Sequence, residues 1–357
     1  MRVGIVTQPL ATNYGGILQN FALQTVLKRM GNEVWTLDIY KYTWSDYLLY
    51  LGISLVKKIL GKKCKFPKTP IRRAHEETPL RKFVHKNISL TTPRTKFFDK
   101  TIVEKYDLEA VVVGSDQVWR PLYNGKIEDS FLDFIDGKDI IRIAYAASFG
   151  SSNWEYTLEQ EQKCSELLKK FNVVTVREDS GVTLCNQYFK VDAKHVLDPT
   201  LLLDSHDYSL LCDYIDIKAP FVFAYLLDAT DAIKNEIKSF AESKGLPYLI
   251  VSAGNHIKST DSVESWLANF RDASYVITDS FHGTVFSIIF KKDFYVLGNE
   301  DRGNDRFNSL LNCLDLKDRM INGKINSKSM IDWTMVYKNL DIHRKMSLLQ
   351  LQLLKQK

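Results

Sequence analysis

Short apolar runs that stop at small or charged residues alternate along this chain with longer stretches of helical spacing. Arg2 to Thr7 predicts a first strand, followed by a loop through Thr12-Asn13-Tyr14-Gly15-Gly16. Ile17, Leu18, Phe21, Ala22, Val26 and Met30 then fall on or near one helix face, and Gly31 closes that helix. Glu33 to Tyr40 alternates as a second strand. Further strands are predicted at Ala110–Val113, which runs into Gly114-Ser115-Asp116-Gln117, and at Ile140–Ala146 and Asn172–Val176. The alternation restarts near Asp198-Pro199-Thr200. It gives strands at Phe221–Leu227, Tyr248–Ser252, Ser274–Thr278 and Phe294–Leu297, with helices over about Thr230–Lys244, Ser262–Arg271 and Val285–Phe290. Apolar strands that end at small or charged residues suit parallel sheets whose ligands collect at the carboxyl ends. The expected fold class is therefore α/β, with two doubly wound Rossmann-like domains facing a cleft, at residues 1–200 and 201–328. A helical segment at 329–357 is free to pack back on the first domain. The dinucleotide fingerprint Gly-x-Gly-x-x-Gly is absent.

Charge changes this picture in one place, an insertion near residues 42–100. Residues 57–96 hold thirteen Lys and Arg against Glu76 and Glu77, a net charge of +11 in a chain whose total is +5. Just before them Trp44, Tyr47, Leu48, Leu51, Leu55 and Ile59 fall near helical spacing. An amphipathic helix followed by lysines can lie on an anionic membrane face; a solvated helical insertion is the plainer reading of the same residues. No recognisable nucleic-acid motif accompanies the charge, so nucleic acid is not an expected partner.

The 357 residues, 45% hydrophobic and 25% charged, have the composition of an ordinary globular protein of roughly two domains. Five scattered cysteines with no Cys-x-x-Cys argue against a disulfide framework or zinc site and for a reducing compartment. The chain opens on Val3-Gly4-Ile5-Val6 without signal-peptide features. Its longest apolar run, Tyr47–Val56, falls short of the ~20 residues a spanning helix needs. A cytoplasmic protein is expected, at the inner membrane face if the insertion binds lipid.

The candidate chemistry centres on Thr278-Asp279-Ser280-Phe281-His282-Gly283-Thr284, where a strand should give way to a helix. Backbone N–H groups there lack helical partners, and the helix dipole favours an anion. A histidine in such a turn can also move a proton near neutral pH. An anion cradle beside a proton donor suits a leaving phosphate; a helix-capping histidine is the bland alternative. His75, His85, His195, His206, His256 and His343 form no metal-ligand spacing, and no required metal is expected.

Several segments, in order, resemble one family. They are Asn13-Tyr14-Gly15-Gly16-Ile17-Leu18-Gln19, Gly114-Ser115-Asp116-Gln117-Val118-Trp119, Ala144-Tyr145-Ala146-Ala147-Ser148-Phe149-Gly150, Arg177-Glu178, Leu197-Asp198-Pro199-Thr200 and the His282 turn. Together they look like the polysaccharide pyruvyl transferase family. The resemblance implies a GT-B-like fold, phosphoenolpyruvate as donor substrate with no cofactor, and a hexose of a cell-surface glycan or its lipid-linked precursor as acceptor. The implied product is a pyruvate ketal bridging two sugar hydroxyls. Members of established activity commonly carry an arginine two residues before the histidine, and this chain has Ser280 there. A serine cannot replace a bidentate cation, so Arg302 and Arg306 downstream become the candidate clamps.

That chemistry needs an acid for the methylene carbon, a base for the sugar hydroxyl and cations for carboxylate and phosphate. His282 is the candidate acid, since its turn can also bind the phosphate it works beside, and Asp116, directly after a strand, is the candidate base or holds a loop with Gln117. Donor contacts are expected from Arg177, Ser280, Gly283, Thr284, Arg302 and Arg306; a surface ion pair is the alternative for Arg177. Asn13, Gly15 and Gly16 are expected to approach the acceptor, or merely to form the tight turn that starts the helix. Two other readings remain: a nucleotide-sugar glycosyltransferase on the same fold, and a non-catalytic glycan-binding member.

Overall fold

The computed structural model describes residues 1–39, 42–217, 220–252, 262–298, 303–321, 324–325 and 328–355. Its first sheet joins β1 (Arg2–Val6), β2 (Glu33–Thr36), β3 (Ala110–Val113), β4 (Ile141–Ala147), β5 (Val173–Val176) and β6 (Lys194–His195) in the order β2-β1-β3-β4-β5-β6. Every pair is parallel, with Val3 opposite Ala110 and Val6 opposite Val113. The second sheet joins β7 (Val222–Leu226), β8 (Tyr248–Ser252), β9 (Tyr275–Thr278), β10 (Asp293–Leu297) and β11 (Met320–Ile321) in the order β11-β10-β9-β7-β8, again parallel throughout. All four residues of β3 and all five of β7 are buried, as expected of strands covered on both faces.

The first helix, α1 (Tyr14–Arg29), buries twelve of its sixteen residues because it is enclosed between the first sheet and the segment after Asp198. Its buried polar side chains are paired inward: Gln19 Nε2 donates to Thr7 Oγ1 at 2.6 Å, and Asn20 Nδ2 to Thr36 Oγ1 at 2.9 Å. The basic insertion forms α2 (Trp44–Ile59), capped reciprocally by Thr43 and Asp46, and α3 (Pro70–Asn87), which opens on proline. Arg81 ties α3 to Asp38 at 2.7 Å.

Strand order decides where ligands bind. A doubly wound sheet opens a crevice where neighbouring connections leave in opposite directions. Here that happens between β1 and β3 in the first sheet and between β7 and β9 in the second. The carboxyl ends of those four strands face each other across one cleft, and the architecture is GT-B-like. The last helix, α12 (Trp333–Leu349), reaches back: Arg344 donates to the carbonyls of Leu201 and Leu203, and Ser347 Oγ accepts from Leu197 N. Beyond it, Leu354 O accepts from Asn32 Nδ2 at 2.7 Å.

Two short strands escape the periodicity, because two-residue edge strands carry no repeat. One is β11. The other is β6, which contains His195. His195 Nδ1 lies 3.0 Å from Asp179 and Nε2 3.0 Å from the Arg177 carbonyl. Burial opposes its charge, but Asp179 and the adjacent Cys313 raise its pKa to about 10. The second strand, expected over Glu33–Tyr40, ends at Thr36, and Tyr40 lies outside the described residues. So does His256.

Candidate active site

Each of the four strand ends delivers one part of the cleft, whose volume is about 400 Å³. Beyond β1, Asn13 caps α1 and Gly15 enters its first turn. Beyond β3, Asp116 stands in the left-handed region at φ +75°, a conformation that persists only when its surroundings hold it. They do: its Oδ1 accepts from Gln117 N at 3.0 Å, and its Oδ2 from Asn13 Nδ2 at 2.9 Å. Beyond β9, Asp279 accepts from the backbone N–H groups of Leu227 and Asp228, locking the β9 and β7 ends together. Ser280 then caps α10 (Phe281–Ile289), whose second residue is His282.

His282 is one point of contact between the two halves. Its ring lies so close to Gly15 that a Cβ there would sit 2.0 Å from Nδ1. On the other side, Nε2 is 3.6 Å from Asp198 Oδ2, an ion-pair distance that is long for a hydrogen bond. Asp198 is fully engaged otherwise. Oδ1 accepts from Thr200 N and Oγ1 at 3.0 and 2.6 Å, and Oδ2 accepts from Ser115 Oγ and Arg177 Nη1, both at 2.9 Å. Arg177 also reaches Asp116 Oδ1 at 3.4 Å and lies over the Phe281 ring at 4.5 Å.

The charges are arranged in layers. Burial works against ionising Asp198, yet His282 and Arg177 hold its carboxyl far below the usual range. Asp116 is likewise held low, against burial, by Arg177, His282 and Arg306. Arg177 has its pKa raised by Asp198 and Asp116 despite burial. Arg306, from α11 (Asp305–Cys313), is depressed to about 10 by burial and by the like charge of Arg177. An anion entering the cleft beside Arg306 would relieve that depression.

The cleft gathers most of the residues singled out from sequence: Asn13, Gly15, Asp116, Gln117, Ser280, His282 and Arg306 all line it. Arg177 does not; its side chain is 1% exposed and lies behind the wall, held by Asp198 and Asp116. It orders the two carboxylates instead of reaching a donor. Gly283 and Thr284 are also behind the wall. The N–H of Gly283 is taken by Ser280 Oγ at 3.3 Å and that of Thr284 by Ser280 O at 2.9 Å, so the helix cap consumes two expected anion contacts. Gly283 serves packing: a Cβ there would meet Thr278 Oγ1 at 2.3 Å. Gly16 donates its N–H to the Asn13 cap at 3.1 Å, the turn-forming role. Arg302 lies outside the described residues. Among the described residues no group of three or more His, Cys, Asp or Glu is placed to hold a metal.

Sequence reasoning missed Asp198 and the aromatic wall. Asp198 was visible as an Asp-Pro-Thr turn, but nothing local tells that its side chain reaches α10. Trp266, in α9 (Val263–Asp272), stacks on Tyr14 at 5.4 Å and also faces the cleft. Its buried Nε1 has no hydrogen-bond partner. A helical aromatic looks like core by periodicity, and Trp266 is indeed buried; only the arrangement of the two domains makes it part of the cleft wall.

Gly15→Ala tests the contact across the cleft. The new methyl must displace the His282 ring or push α1 away, and a misplacement of about 1 Å costs about 10²-fold in rate. Turnover should fall by about that factor with KM values little changed. An unaltered rate would show that His282 needs no support from Gly15.

The polysaccharide pyruvyl transferase family model matches residues 13–301. No curated protein matches the chain. Among solved structures, it is similar to a UDP-GlcNAc 2-epimerase from Methanocaldococcus jannaschii, at 10% identity and TM-score 0.47, covering 96% of this chain and 93% of that one. It is also similar to a glycosyltransferase from Rickettsia africae ESF-5, at 10% identity and TM-score 0.45, covering 99% and 95%. The UDP-GlcNAc 2-epimerase from Neisseria meningitidis, bound to UDP-GlcNAc, gives 9% identity and TM-score 0.44 over 97% and 94%. Likenesses this distant carry no chemistry to the chain. The family match is different in kind: it takes in most of the chain, from the Asn13 cap through all strands of both sheets but β1 and β11, and includes the His282 turn. On that match this chain belongs to the polysaccharide pyruvyl transferase family.

Proposed function

We propose that the protein transfers a pyruvyl group from phosphoenolpyruvate to two hydroxyls of a hexose, in a surface polysaccharide or its lipid-linked precursor, forming a pyruvate ketal. The observation that carries this reading is the meeting of His282, Asp116 and Arg306 in one cleft, each from a different element. The family membership supports a saccharide acceptor.

In this scheme Arg306 holds the donor's negative charge and replaces the arginine whose usual place is Ser280. His282 gives a proton to the methylene carbon, and the carbon bearing phosphate becomes cationic. One sugar hydroxyl adds there and loses its proton. Phosphate then leaves with its C–O bonding pair, and the second hydroxyl adds and loses its proton. Of the two hydroxyl protons, one restores His282 and the other departs on phosphate, so the atoms balance. Asp116 stays ionised next to Arg177, which makes it a weak base in advance of reaction. It therefore orients the hydroxyl and stabilises the cationic carbon, taking the proton only as the new C–O bond makes that hydroxyl strongly acidic and passing it to the departing phosphate. Trp266, in the cleft wall, sets an aromatic ring beside the sugar. The scheme uses no cofactor.

The test is ligand-dependent stability, since a ligand that binds only the native state raises its melting temperature. Phosphoenolpyruvate should stabilise the protein, and nucleotide sugars should not. In Arg306→Lys the bidentate contact becomes a point charge, and KM for phosphoenolpyruvate should rise by about tenfold, a loss of ~1.4 kcal/mol. Stabilisation by a nucleotide sugar alone would replace this reading with glycosyl transfer. Donor binding without turnover on any saccharide would leave a non-catalytic glycan-binding member.

A further inference from the structure

Helix α2 has almost nothing to pack on. Of its sixteen residues only Ser54 is buried. Leu48 and Leu49 are 62% and 61% exposed, and Ile59 is 84% exposed. Leu48, Leu49, Ile53 and Val56 together line an apolar hollow on the surface. A continuous apolar face of this kind marks a contact surface. Among the described residues no helix is long and apolar enough to cross a membrane, so a contact made by this face lies along a surface.

Charge selects the occupant. The structure sorts ten of the thirteen cations of the basic block into two sets. Lys68 and Arg72 pair with Glu76, Arg81 with Asp38, Arg94 with Glu77 and Lys96 with Asp46, so these are structural. Lys57, Lys58, Lys62, Lys63 and Lys65, at the end of α2 and just beyond it, are exposed and make no ion pair among the described residues. Trp44 and Tyr50, each 52% exposed, add amphipathic rings on the same helix. A second copy of this chain would set these lysines against an equally basic partner, whose Asp46 is already held by Lys96. An anionic bilayer offers an apolar layer and a negative surface together.

The segment that follows α2 leads to the active site. Lys65, Phe66, Lys68 and Arg73 wall a second cavity that shares Pro9, Thr12 and Asn13 with the cleft. We propose that α2 and its unpaired lysines seat the protein on an anionic lipid bilayer, and that this second cavity is the path by which a lipid-anchored saccharide reaches the cleft. The path rests on the transferase reading above; the seating does not.

The experiment is co-sedimentation of the full chain with phosphatidylcholine vesicles, with and without phosphatidylglycerol, at low and high salt. Wild type should bind the anionic vesicles selectively and release at high salt. Lys57→Gln/Lys58→Gln/Lys62→Gln/Lys63→Gln should weaken that binding by about tenfold or more, and Leu48→Asp/Ile53→Asp should abolish it. Both variants touch only exposed residues, so melting temperature and turnover on a short water-soluble acceptor should stay at wild-type values. Turnover on a lipid-linked acceptor in vesicles should fall with binding. Equal binding to both vesicle types, no binding to either, or a wild-type dimer split by Leu48→Asp/Ile53→Asp would each overturn the seating. Undiminished turnover on the lipid-linked acceptor, with vesicle binding lost, would overturn the path. The vesicle readout stands even if phosphoenolpyruvate proves not to be the donor.

Discussion

Replacing His282 by alanine should lower turnover by about 10²–10⁴-fold, the range for losing a general acid, while the protein stays folded. The second half of that expectation comes from where the ring sits. His282 is nearly buried, but its Nε2 makes no hydrogen bond, so truncation orphans no donor or acceptor elsewhere. Asp198 keeps Thr200, Ser115 and Arg177 as partners. The variant gains a small void beside Gly15 that is open to the cleft, and water can fill it. Phosphate release from phosphoenolpyruvate in the presence of acceptor measures the effect, and a melting curve checks the fold. His282→Gln, which fills the space but has no acidic proton to give, should be as inactive. A folded alanine variant with near wild-type turnover would reduce His282 to a helix-terminus residue.

How much of this site was legible in the sequence depends on how far each side chain reaches. The strand ends were legible, because buried parallel strands are unbroken apolar runs and their last residues stand out as polar. That alone pointed to Asn13, Asp116 and the His282 turn. The layering behind them was not. Arg177 follows β5 as Asp116 follows β3, and position along the strand does not distinguish a residue that faces the cleft from one buried behind it. Strand order does: β5 lies two strands from the β1–β3 crevice, so Arg177 must reach sideways and meets Asp198 first. Gly283 and Thr284 misled for a related reason. An N-terminal turn offers free N–H groups only until its own cap claims them, and Ser280 is a good cap. The serine that stands where an arginine is usual thus closes part of the anion cradle, and Arg306 approaches from a different helix. In the insertion, helical spacing was visible, but the division of its cations into paired and unpaired sets required knowing that Asp38 meets Arg81 of α3 and that Glu77, on the buried side of α3, meets Arg94.

Asp198→Asn should be the most destabilising single change at this site, by about 3 kcal/mol, the low end of the cost of breaking a buried ion pair, because Arg177 then keeps only Asp116 as an ion-pair partner, at 3.4 Å. Arg177 is the buried charge, with 1% of its side chain exposed. An asparagine matches the shape of the aspartate but not its hydrogen-bonding pattern. Both carboxylate oxygens accept from donors, Thr200 on one side and Ser115 and Arg177 on the other. Either orientation of the amide therefore sets its NH₂ group against another donor, so flipping gives no relief. The pH dependence has a definite sign. The folded pKa of Asp198 is depressed, so its contribution is complete above the unfolded value of about 4 and is lost as pH falls from there toward the folded value. Urea unfolding of the wild type should weaken below about pH 4, and Asp198→Asn should lack that part of the decline. A double variant with Arg177→Met separates charge from shape. If the stranded guanidinium is the cause, the two changes together should cost less than their sum by more than the ~0.5 kcal/mol expected of independent sites. Strict additivity would mean that Asp198 and Arg177 support the fold separately, and that the ordered pair behind His282 has no energetic reality.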